Sequence, residues 1–471
     1  MTAVATGPTI VDVMEDPNLL APAFEPAESW STWKSYLRVL FGLGHTAGDL
    51  ATYHTCTSRV GSPMGPYRES WTLCGRRAGK SRIAALIALY LAAFKTYRVA
   101  PGETPIVMLI ASDKSQAKVL LGYLAGMLES SPLLGQLIEN RSPESVSLSN
   151  NVRVEVHANS YRGVRGRTLA ACICDEICFW RSDTSANPDS EVIAAVRPSL
   201  ATVPGSMLIA ISSPHSKTGV AFQQYQRCFA KADPRVLLWQ SSSAMMNPTL
   251  DPQVIADAYS EDENVAASEF GGRWRNDLEG YASRELVEAC IVPGVEERAW
   301  LSAIRFQAFV DVSGGAHDSA VLAIGHSERR DARDVAVVDC VRERRAPFDP
   351  EDVTREFAEI LKSYRVSTLV GDRYGGEWPA SAFDRHGIRY EAASKTKSEL
   401  YKELLPALRS RSVELPDSKR LIAQLCQLER RSTRGGAEVI DHPVGSRDDI
   451  ANAVAGVAYL VGGRRNMVRI W

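Results

Sequence analysis

From about residue 70 onward, short unbroken apolar runs alternate with longer amphipathic stretches. Trp71-Thr72-Leu73 leads into a glycine-containing loop, and Ser81 to Phe94 follows as a strongly apolar helix. Pro105–Ala111 reads as a buried strand and Lys114–Leu128 as a helix. Val152–His157, Leu169–Cys174 and Met207–Ile211 read as further strands. Apolar runs of this length, alternating with helices, predict a parallel sheet covered on both faces, because a strand buried on both sides has no polar face to show. Ahead of the sheet, Trp33, Tyr36, Leu37, Leu40 and Phe41 recur at near-helical spacing and predict a helical lead-in over residues 31–60.

A second cycle begins after a more polar, irregular stretch over 241–300, which holds a charged helix around Glu261–Phe270. Phe306–Val312, Ala320–Gly325 and Val335–Val341 predict three successive strands. A helix over Glu351–Tyr364, a strand at Thr368–Gly371, helices through most of 397–431 and a last helix over Asp448–Val461 complete it. Three strands, helix, strand, then helices is the order of a ribonuclease-H-like fold. The expected organisation is a flexible acidic arm (1–30), a first α/β domain (31–240), a linker or subdomain (241–300), a second α/β domain (301–463) and a basic tail (464–471).

Composition changes this picture little. A chain of 471 residues suits two or three domains. Its formal net charge of -2 announces no broad basic surface, although a local basic face suffices for nucleic acid. The first thirty residues contain no Lys or Arg, so no basic region precedes an apolar core as in a signal peptide. No apolar run reaches membrane-spanning length. A soluble, cytoplasmic protein is expected. The nine cysteines follow no disulfide pattern. Cys172, Cys174 and Cys178 invite a zinc reading, but they lie on and just past a very apolar run and lack a second ligand pair at finger spacing, so they read as buried free thiols.

Two motif sets carry chemistry. Cys74-Gly75-Arg76-Arg77-Ala78-Gly79-Lys80-Ser81 lies between a strand and a helix and matches G-x-x-x-x-G-K-[ST], except that Cys74 takes the first glycine position. Backbone N–H groups of such a loop, with the helix N-terminus, cradle phosphates. Lys80 would reach the β- and γ-phosphates and Ser81 would bind Mg²⁺. Asp175-Glu176 ends the apolar run LAACIC. Asp175 would hold the metal and Glu176 would orient and deprotonate the attacking water. Ile211-Ser212-Ser213-Pro214 places small hydroxyls at a later strand end, where they can sense the γ-phosphate or simply make a turn.

In the second set, Asp311 lies in a strand that should be buried, where a charge is costly without a partner or a metal. Asp372 ends a later strand, and Asp448 and Asp449 open the last helix. In a ribonuclease-H-like sheet the first and fourth strands are neighbours and the last helix packs across them, so these carboxylates converge. Such a cluster repels itself unless cations neutralise it, which predicts two Mg²⁺ or Mn²⁺ ions able to activate water and stabilise a leaving phosphodiester oxygen. Each residue also has a plainer reading: Asp448 and Asp449 as helix caps, Asp372 as a turn residue. Asp318 is a further, lesser candidate.

Taken in order, CGRRAGKS, YRGVRGRTLAACICDE, ISSPHS, FVDVSGG, VGDRYGG and SRDDIANAVAG resemble the motifs of the large terminase subunit of tailed phages and of related prophages or gene-transfer particles. The resemblance spans most of residues 70–460. It implies an N-terminal P-loop ATPase of the additional-strand, RecA-like type and a C-terminal ribonuclease-H-like nuclease. It also implies ATP with Mg²⁺ in the first site and two Mg²⁺ or Mn²⁺ in the second. The implied partners are double-stranded DNA, a portal protein, a small terminase subunit and other copies in a ring, in the host cytoplasm and transiently at the procapsid. By motif match Lys80, Ser81, Asp175, Glu176 and Ser213 carry over to the ATPase, with Arg76 as the loop arginine near the phosphates. Asp311, Asp372 and Asp449 carry over to the nuclease, with Asp448 alongside. Arg447 stands where the family often has His, which leaves open which aspartate meets the metals. Arg162, Arg165 and Arg167 are candidates for an arginine acting in trans. An ATP-dependent helicase-like translocase, or an assembly subunit with an inactive nuclease fold, are the alternatives. Arg329, Arg330, Arg333, Arg342, Arg344 and Arg345 surround a predicted hairpin, either as a DNA contact or as ordinary charged surface.

Overall fold

In the computed structural model, residues 7–462 are described apart from 161–162, 165, 183–184, 186, 313–314, 316–317, 332, 373–376, 433–436 and 444. The chain divides into two units, Met1–Arg181 with Asn187–Asn276, and Ser182–Ala186 with Asp277–Trp471. The basic tail at 464–471 lies outside the described residues.

The first unit is built on eight strands: β1 (Glu69–Cys74), β2 (Ile106–Ala111), β3 (Ile138–Ser142), β4 (Ser145–Leu148), β5 (Arg153–Ala158), β6 (Leu169–Asp175), β7 (Met207–Ser212) and β8 (Val236–Ser241). They form one sheet in the order β3-β4-β5-β2-β6-β7-β1-β8. From β5 to β8 every pairing is parallel, and β3 and β4 add an antiparallel hairpin at the edge. Every residue of β2, β6 and β7 is buried, as their continuous apolar runs require. The helices are α1 (Ile10–Glu15), α2 (Ser31–Phe41), α3 (Ala47–Thr57), α4 (Lys80–Ala93), α5 (Lys114–Ser130), α6 (Pro132–Gly135), α7 (Pro188–Ala201), α8 (Gly219–Cys228), α9 (Ser243–Met246), α10 (Pro252–Glu261) and α11 (Glu263–Glu269). Helices α1–α5 supply the core on one sheet face, while α7 and α8 supply it on the other.

Two expectations change here. Residues 7–30 are not a flexible arm. Thr9 and Asp12 form a capping box at the start of α1, and Ile10, Val11, Val13, Met14, Leu20 and Phe24 are buried in the core. Apolar positions scattered among acidic ones were enough to dock the segment, while Glu15 meets Lys34 at 2.7 Å near the surface. The stretch 241–300 is not one linker either: α9–α11 complete the first unit, and residues from Asp277 belong to the second.

The second unit holds β9 (Leu278–Gly280), β10 (Gln307–Asp311), β11 (Ala320–Arg330), β12 (Arg333–Arg344), β13 (Thr368–Gly371), β14 (Arg389–Ala392), β15 (Val413–Glu414), β16 (Glu429–Ser432) and β17 (Glu438–Asp441). Its main sheet runs β14-β13-β10-β11-β12-β15, and β17-β16-β9 form a small second sheet. Strand β11 pairs antiparallel with β10 on one side and with β12 on the other, whereas β13 lies parallel to β10 on its far side, the ribonuclease-H-like arrangement. The helices are α12 (Arg284–Glu288), α13 (Pro350–Ser363), α14 (Glu377–Arg385), α15 (Lys397–Ser410), α16 (Lys419–Gln427) and α17 (Asp449–Val461). Core residues of α13 lie on one face, those of α15–α17 on the other. Gly456 lets α17 press onto β10, since a Cβ there would stand 2.3 Å from the Phe309 ring. Strands β11 and β12 run well past the apolar stretches that predicted them. The ladder shifts register between Ile324 and Gly325, and the apolar run of β11 ends there, while the pairing continues in polar sequence. Among the described residues, no helix is long and apolar enough to cross a membrane.

Two candidate active sites

The first site forms where β1, β6 and β7 end. Strand β7 intervenes between β1, which leads into the loop, and β6, which ends in Asp175; this is the additional-strand order. Residues 75–79 connect β1 to α4, with Gly79 at φ +89°, a conformation that glycine adopts without strain. The loop is held from outside by residues the motif does not announce. The Trp33 indole N–H donates to the Ala78 carbonyl at 2.6 Å, the Ser243 hydroxyl to the Arg76 carbonyl at 2.6 Å, and the Asn247 amide to the Arg77 carbonyl at 2.8 Å. Cys74, at the departing glycine position, is fully buried, and burial pushes its thiol well up.

Lys80 is buried and donates to the Cys74 and Gly75 carbonyls at 3.1 and 3.0 Å and to the Ser213 hydroxyl at 3.0 Å. Its Nζ lies 3.6 Å from Glu176 Oε1. Glu176 takes a left-handed backbone, φ +48°, and its Oε2 accepts from the Ser213 amide at 3.1 Å and the Ser212 hydroxyl at 3.2 Å. Burial, then the nearby Glu176 charge, push the Asp175 carboxyl up to about 7 against the opposing pull of Lys80 and the nearby Ser81 hydroxyl. Asp175 Oδ1 is buried without a hydrogen-bond partner among the described residues. An orphaned carboxylate oxygen beside a serine hydroxyl fits a hard divalent cation. The geometry thus gathers Cys74, Gly75, Lys80, Ser81, Asp175, Glu176 and Ser213. Arg76 instead turns to Glu269 at 2.5 Å, and Arg77 is exposed at φ +61°. Cys172 and Cys174 are fully buried in β6 with sulfurs 3.7 Å apart, the apolar role expected of them. Arg162 and Arg165 lie outside the described residues, and Arg167 is paired with Glu155 at 3.2 Å.

The second site forms at the ends of β10 and β13 against the start of α17. Val310 is in register with Gly371, so Asp311 and Asp372 stand at adjacent strand ends. Burial, then Asp449, Asp448 and Asp372, push the Asp311 carboxyl up to about 8, while a hydrogen bond from Asn452 opposes them. That bond, Asn452 Nδ2 to Asp311 Oδ2, is 2.8 Å, and Asn452 Oδ1 is buried without a partner among the described residues. Asp449 Oδ2 accepts the Ser319 amide at 3.2 Å; burial, and after it the Asp448 and Asp318 charges, lift its carboxyl to about 6. Asp448 turns elsewhere: Tyr401 donates to its Oδ2 at 2.8 Å and the Lys397 ammonium lies 3.1 Å away. The donors left around Asp311 are carboxylate oxygens and an amide oxygen, which fit Mg²⁺ or Mn²⁺ rather than a softer ion. Ser313, Gly314 and residues 373–376 of the two strand-end motifs lie outside the described residues. Asn452 has a sequence signal in hindsight, since it stands three positions after Asp449 on the same helix face.

The arginines of the β11–β12 hairpin are largely engaged with acids. Arg329 meets Asp334 at 3.1 Å, Arg330 meets Glu328 and Glu414 at 2.5 Å each, Arg342 meets Glu297 at 2.9 Å, Arg344 meets Glu356 at 3.3 Å and Arg345 meets Glu343 at 3.6 Å. This favours the charged-surface reading over a free phosphate-binding stripe.

Residues 72–189 match the family described as terminase large subunit, T4likevirus-type, N-terminal. No curated protein matches the chain. Among solved structures, the large terminase of bacteriophage HK97 is similar at 16% identity over 86% of this chain and 98% of that one, with a TM-score of 0.38. The large terminase of a thermophilic bacteriophage, in complex with ADP, is similar at 14% identity over 91% and 99%, with a TM-score of 0.41. The large terminase nuclease of thermophilic phage G20c with bound magnesium is similar at 18% identity over 37% and 94%, with a TM-score of 0.31.

Proposed function

We propose that this chain, which resembles the large terminase subunit of tailed phages over its phosphate-loop region, is an ATP-driven DNA-packaging motor joined to a metal-dependent endonuclease. The observation that carries the reading is that one chain holds both constellations: Lys80, Glu176 and Ser213 in mutual contact in the first unit, and Asp311, Asp372 and Asp449 from three separate elements in the second. Residues 31–240, extended by α9–α11, act as the ATPase, and residues 301–463 as the nuclease.

In the first site the loop amides and the N-terminus of α4 bind the phosphates. Lys80 would exchange its carbonyl partners for the β- and γ-phosphates, and Ser81 with Asp175 would hold Mg²⁺, which would neutralise phosphate charge. Glu176 takes the proton of the attacking water. Ser213 touches Lys80 and, through its amide, Glu176, so it is placed to register the loss of the γ-phosphate. In the second site Asp311, Asp372 and Asp449 would hold two Mg²⁺ or Mn²⁺ ions, which would supply an activated water and charge stabilisation at the leaving oxygen. Asn452 orients Asp311, and the Ser319 amide orients Asp449. The substrate is double-stranded viral DNA, threaded through a portal by a ring of these chains with a small terminase subunit, in the host cytoplasm.

The test uses the full-length chain. Plasmid cutting with Mn²⁺ and ATP turnover are measured for the wild type, Asp311→Asn and Lys80→Ala. Loss of cutting alone in the first variant and of turnover alone in the second is expected. Cutting that survives Asp311→Asn would leave a helicase-like translocase, and turnover that survives Lys80→Ala would remove the motor.

A further inference from the structure

The two aspartates that open α17 face different partners, and the reason lies in how that helix is capped. Asp448 occupies the N-cap position, where a carboxylate ordinarily accepts a backbone amide of the first turn. Here it makes no such bond. The amide of Ala451, the third residue of α17, is taken instead by the Gln424 side chain of α16 at 2.9 Å. The cap is thus supplied from another helix, and the Asp448 carboxylate is free for other work.

That carboxylate goes to α15. Lys397 Nζ lies 3.1 Å from Asp448 Oδ2 and 2.7 Å from Asp441 Oδ1, and the Tyr401 hydroxyl donates to Asp448 Oδ2 at 2.8 Å. His442 Nε2 stands 3.7 Å from Asp448 Oδ1. Asp448 and Tyr401 are almost fully buried, so the contact is sheltered from screening. The ligand atoms of Asp441, His442 and Asp448 lie within 4.8 Å of one another, a spacing that suits a cation, and the protein supplies its own in the Lys397 ammonium. Successive residues on a helix point about 100° apart. With Asp448 fixed toward α15, Asp449 is directed to Ser319 and the Asp311 side.

We propose that Lys397, assisted by Tyr401, is a positioning residue of the nuclease site that holds Asp448 out of the metal cluster, so that α17 offers Asp449 alone. The proposal rests on the nuclease reading above. Its consequence is a limit on ligand number. Three carboxylates leave coordination positions on the metals for water and for the phosphodiester. A fourth would add negative charge and close one of those positions.

The experiment measures plasmid cutting by the full-length chain against Mn²⁺ concentration, and Mn²⁺ binding without DNA by titration calorimetry, for the wild type, Lys397→Met, Lys397→Arg, Tyr401→Phe and the double variant Lys397→Met/Asp448→Asn; the binding constants are expected to move with the half-saturating concentrations. In Lys397→Met the released Asp448 should lower the half-saturating Mn²⁺ concentration severalfold. The maximal rate should fall about 10–100-fold, the scale typical of groups that support metal ligands. A merely structural role would raise the metal requirement by loosening α17. Lys397→Arg keeps the charge and should stay near the wild type. Tyr401→Phe should shift both quantities the same way by less, and it keeps the test valid if Lys397→Met folds poorly. Removing the freed carboxylate in the double variant should return the metal requirement toward that of the wild type. An unchanged or raised requirement in both Lys397→Met and Tyr401→Phe, or no recovery in the double variant, overturns the proposal. Asp311→Asn is run beside them: if it cuts normally the nuclease reading itself fails, whereas a dead Asp311→Asn with an indifferent Lys397→Met removes only the positioning role.

Discussion

The two sites treat buried acid in opposite ways. In the first unit, Asp175 and Glu176 come with their own compensation: Lys80 lies 3.6 Å from Glu176, the Ser212 hydroxyl and Ser213 amide donate to Glu176, and Lys80 and Ser81 oppose the rise of the Asp175 carboxyl. In the second, among the described residues, the Asn452 amide stands against the charges of Asp449, Asp448 and Asp372 at Asp311, and the Lys397 ammonium is spent on Asp448 and Asp441. The first site is an ion-paired, hydrogen-bonded arrangement. The second is a cluster of like charges, whose repulsion bound cations would relieve. The same residue type therefore carries different liabilities, and substitution should expose them differently.

The largest effect is expected in the uncompensated site. Asp311→Asn should reduce Mn²⁺-dependent plasmid cutting at least about a thousandfold, because several kcal/mol of metal-mediated stabilisation is lost. Its ATP turnover should stay within experimental error of the wild type. If turnover fell in parallel with cutting, the two sites would not be chemically separate and the comparison would break. Next comes Glu176→Gln, which keeps the shape and the hydrogen-bonding reach of the side chain but cannot accept a proton. It should slow ATP hydrolysis about 10²- to 10⁴-fold while nucleotide binding, read by a fluorescent analogue, persists. Normal turnover in this variant would remove Glu176 from its role as base.

Much of this arrangement was legible in the sequence, for identifiable reasons. Continuous apolar runs marked β2, β6 and β7 because those strands are buried on both faces and have no polar side to confuse the pattern. Strand order in the second unit followed from the succession of elements, and it places Asp311 beside Asp372. The hidden parts depend on long-range contact. Trp33, Ser243 and Asn247 hold the phosphate loop by hydrogen bonds to its carbonyls, and nothing in their local sequence signals it. Residues 7–30 read as an arm because their charges and prolines are conspicuous, while the buried stripe of α1 is only one and a half turns long. The different surroundings of Asp448 and Asp449 were hidden in the sequence because the Asp448 partners Lys397 and Tyr401, and Gln424 that caps α17, lie on two other helices.

A smaller effect sharpens the contrast through stability. A cation bound only by the folded state adds RT ln(1 + [L]/Kd), about 2.7 kcal/mol at a hundredfold excess over Kd. Mn²⁺ without nucleotide should therefore raise the midpoint of one thermal transition of the full-length chain by several degrees. In Asp311→Asn the gain should disappear. An equal gain in that variant would place the stabilising ion away from the Asp311 cluster.

The smallest effect is a slope with pH, and its sign follows from the direction of the shift. The Asp311 carboxyl sits at about 8 in the folded chain, raised chiefly by burial, against about 4 when exposed. Between those values the metal-free folded state keeps a proton that the unfolded state has released. The unfolded state binds fewer protons, so stability falls as pH rises through this window. The contribution is fully present below the unfolded value and is lost as pH approaches about 8. Asp449, lifted to about 6, adds in the same direction over the lower part of the window. Metal binding favours the ionised form and should flatten the slope. Calorimetry of the full-length chain between pH 5 and 8, with chelator and with Mn²⁺, should show the Mn²⁺-responsive transition losing stability with pH only in the chelated sample. The loss attributable to Asp311 is bounded by about 1.4 kcal/mol per pH unit, the value for one proton. Asp311→Asn, which cannot ionise, should be less pH-sensitive and more stable than the wild type at the alkaline end without metal. Identical slopes in the two chelated proteins would mean that Asp311 is ionised and compensated in the metal-free fold, and the two sites would then handle buried acid in the same way.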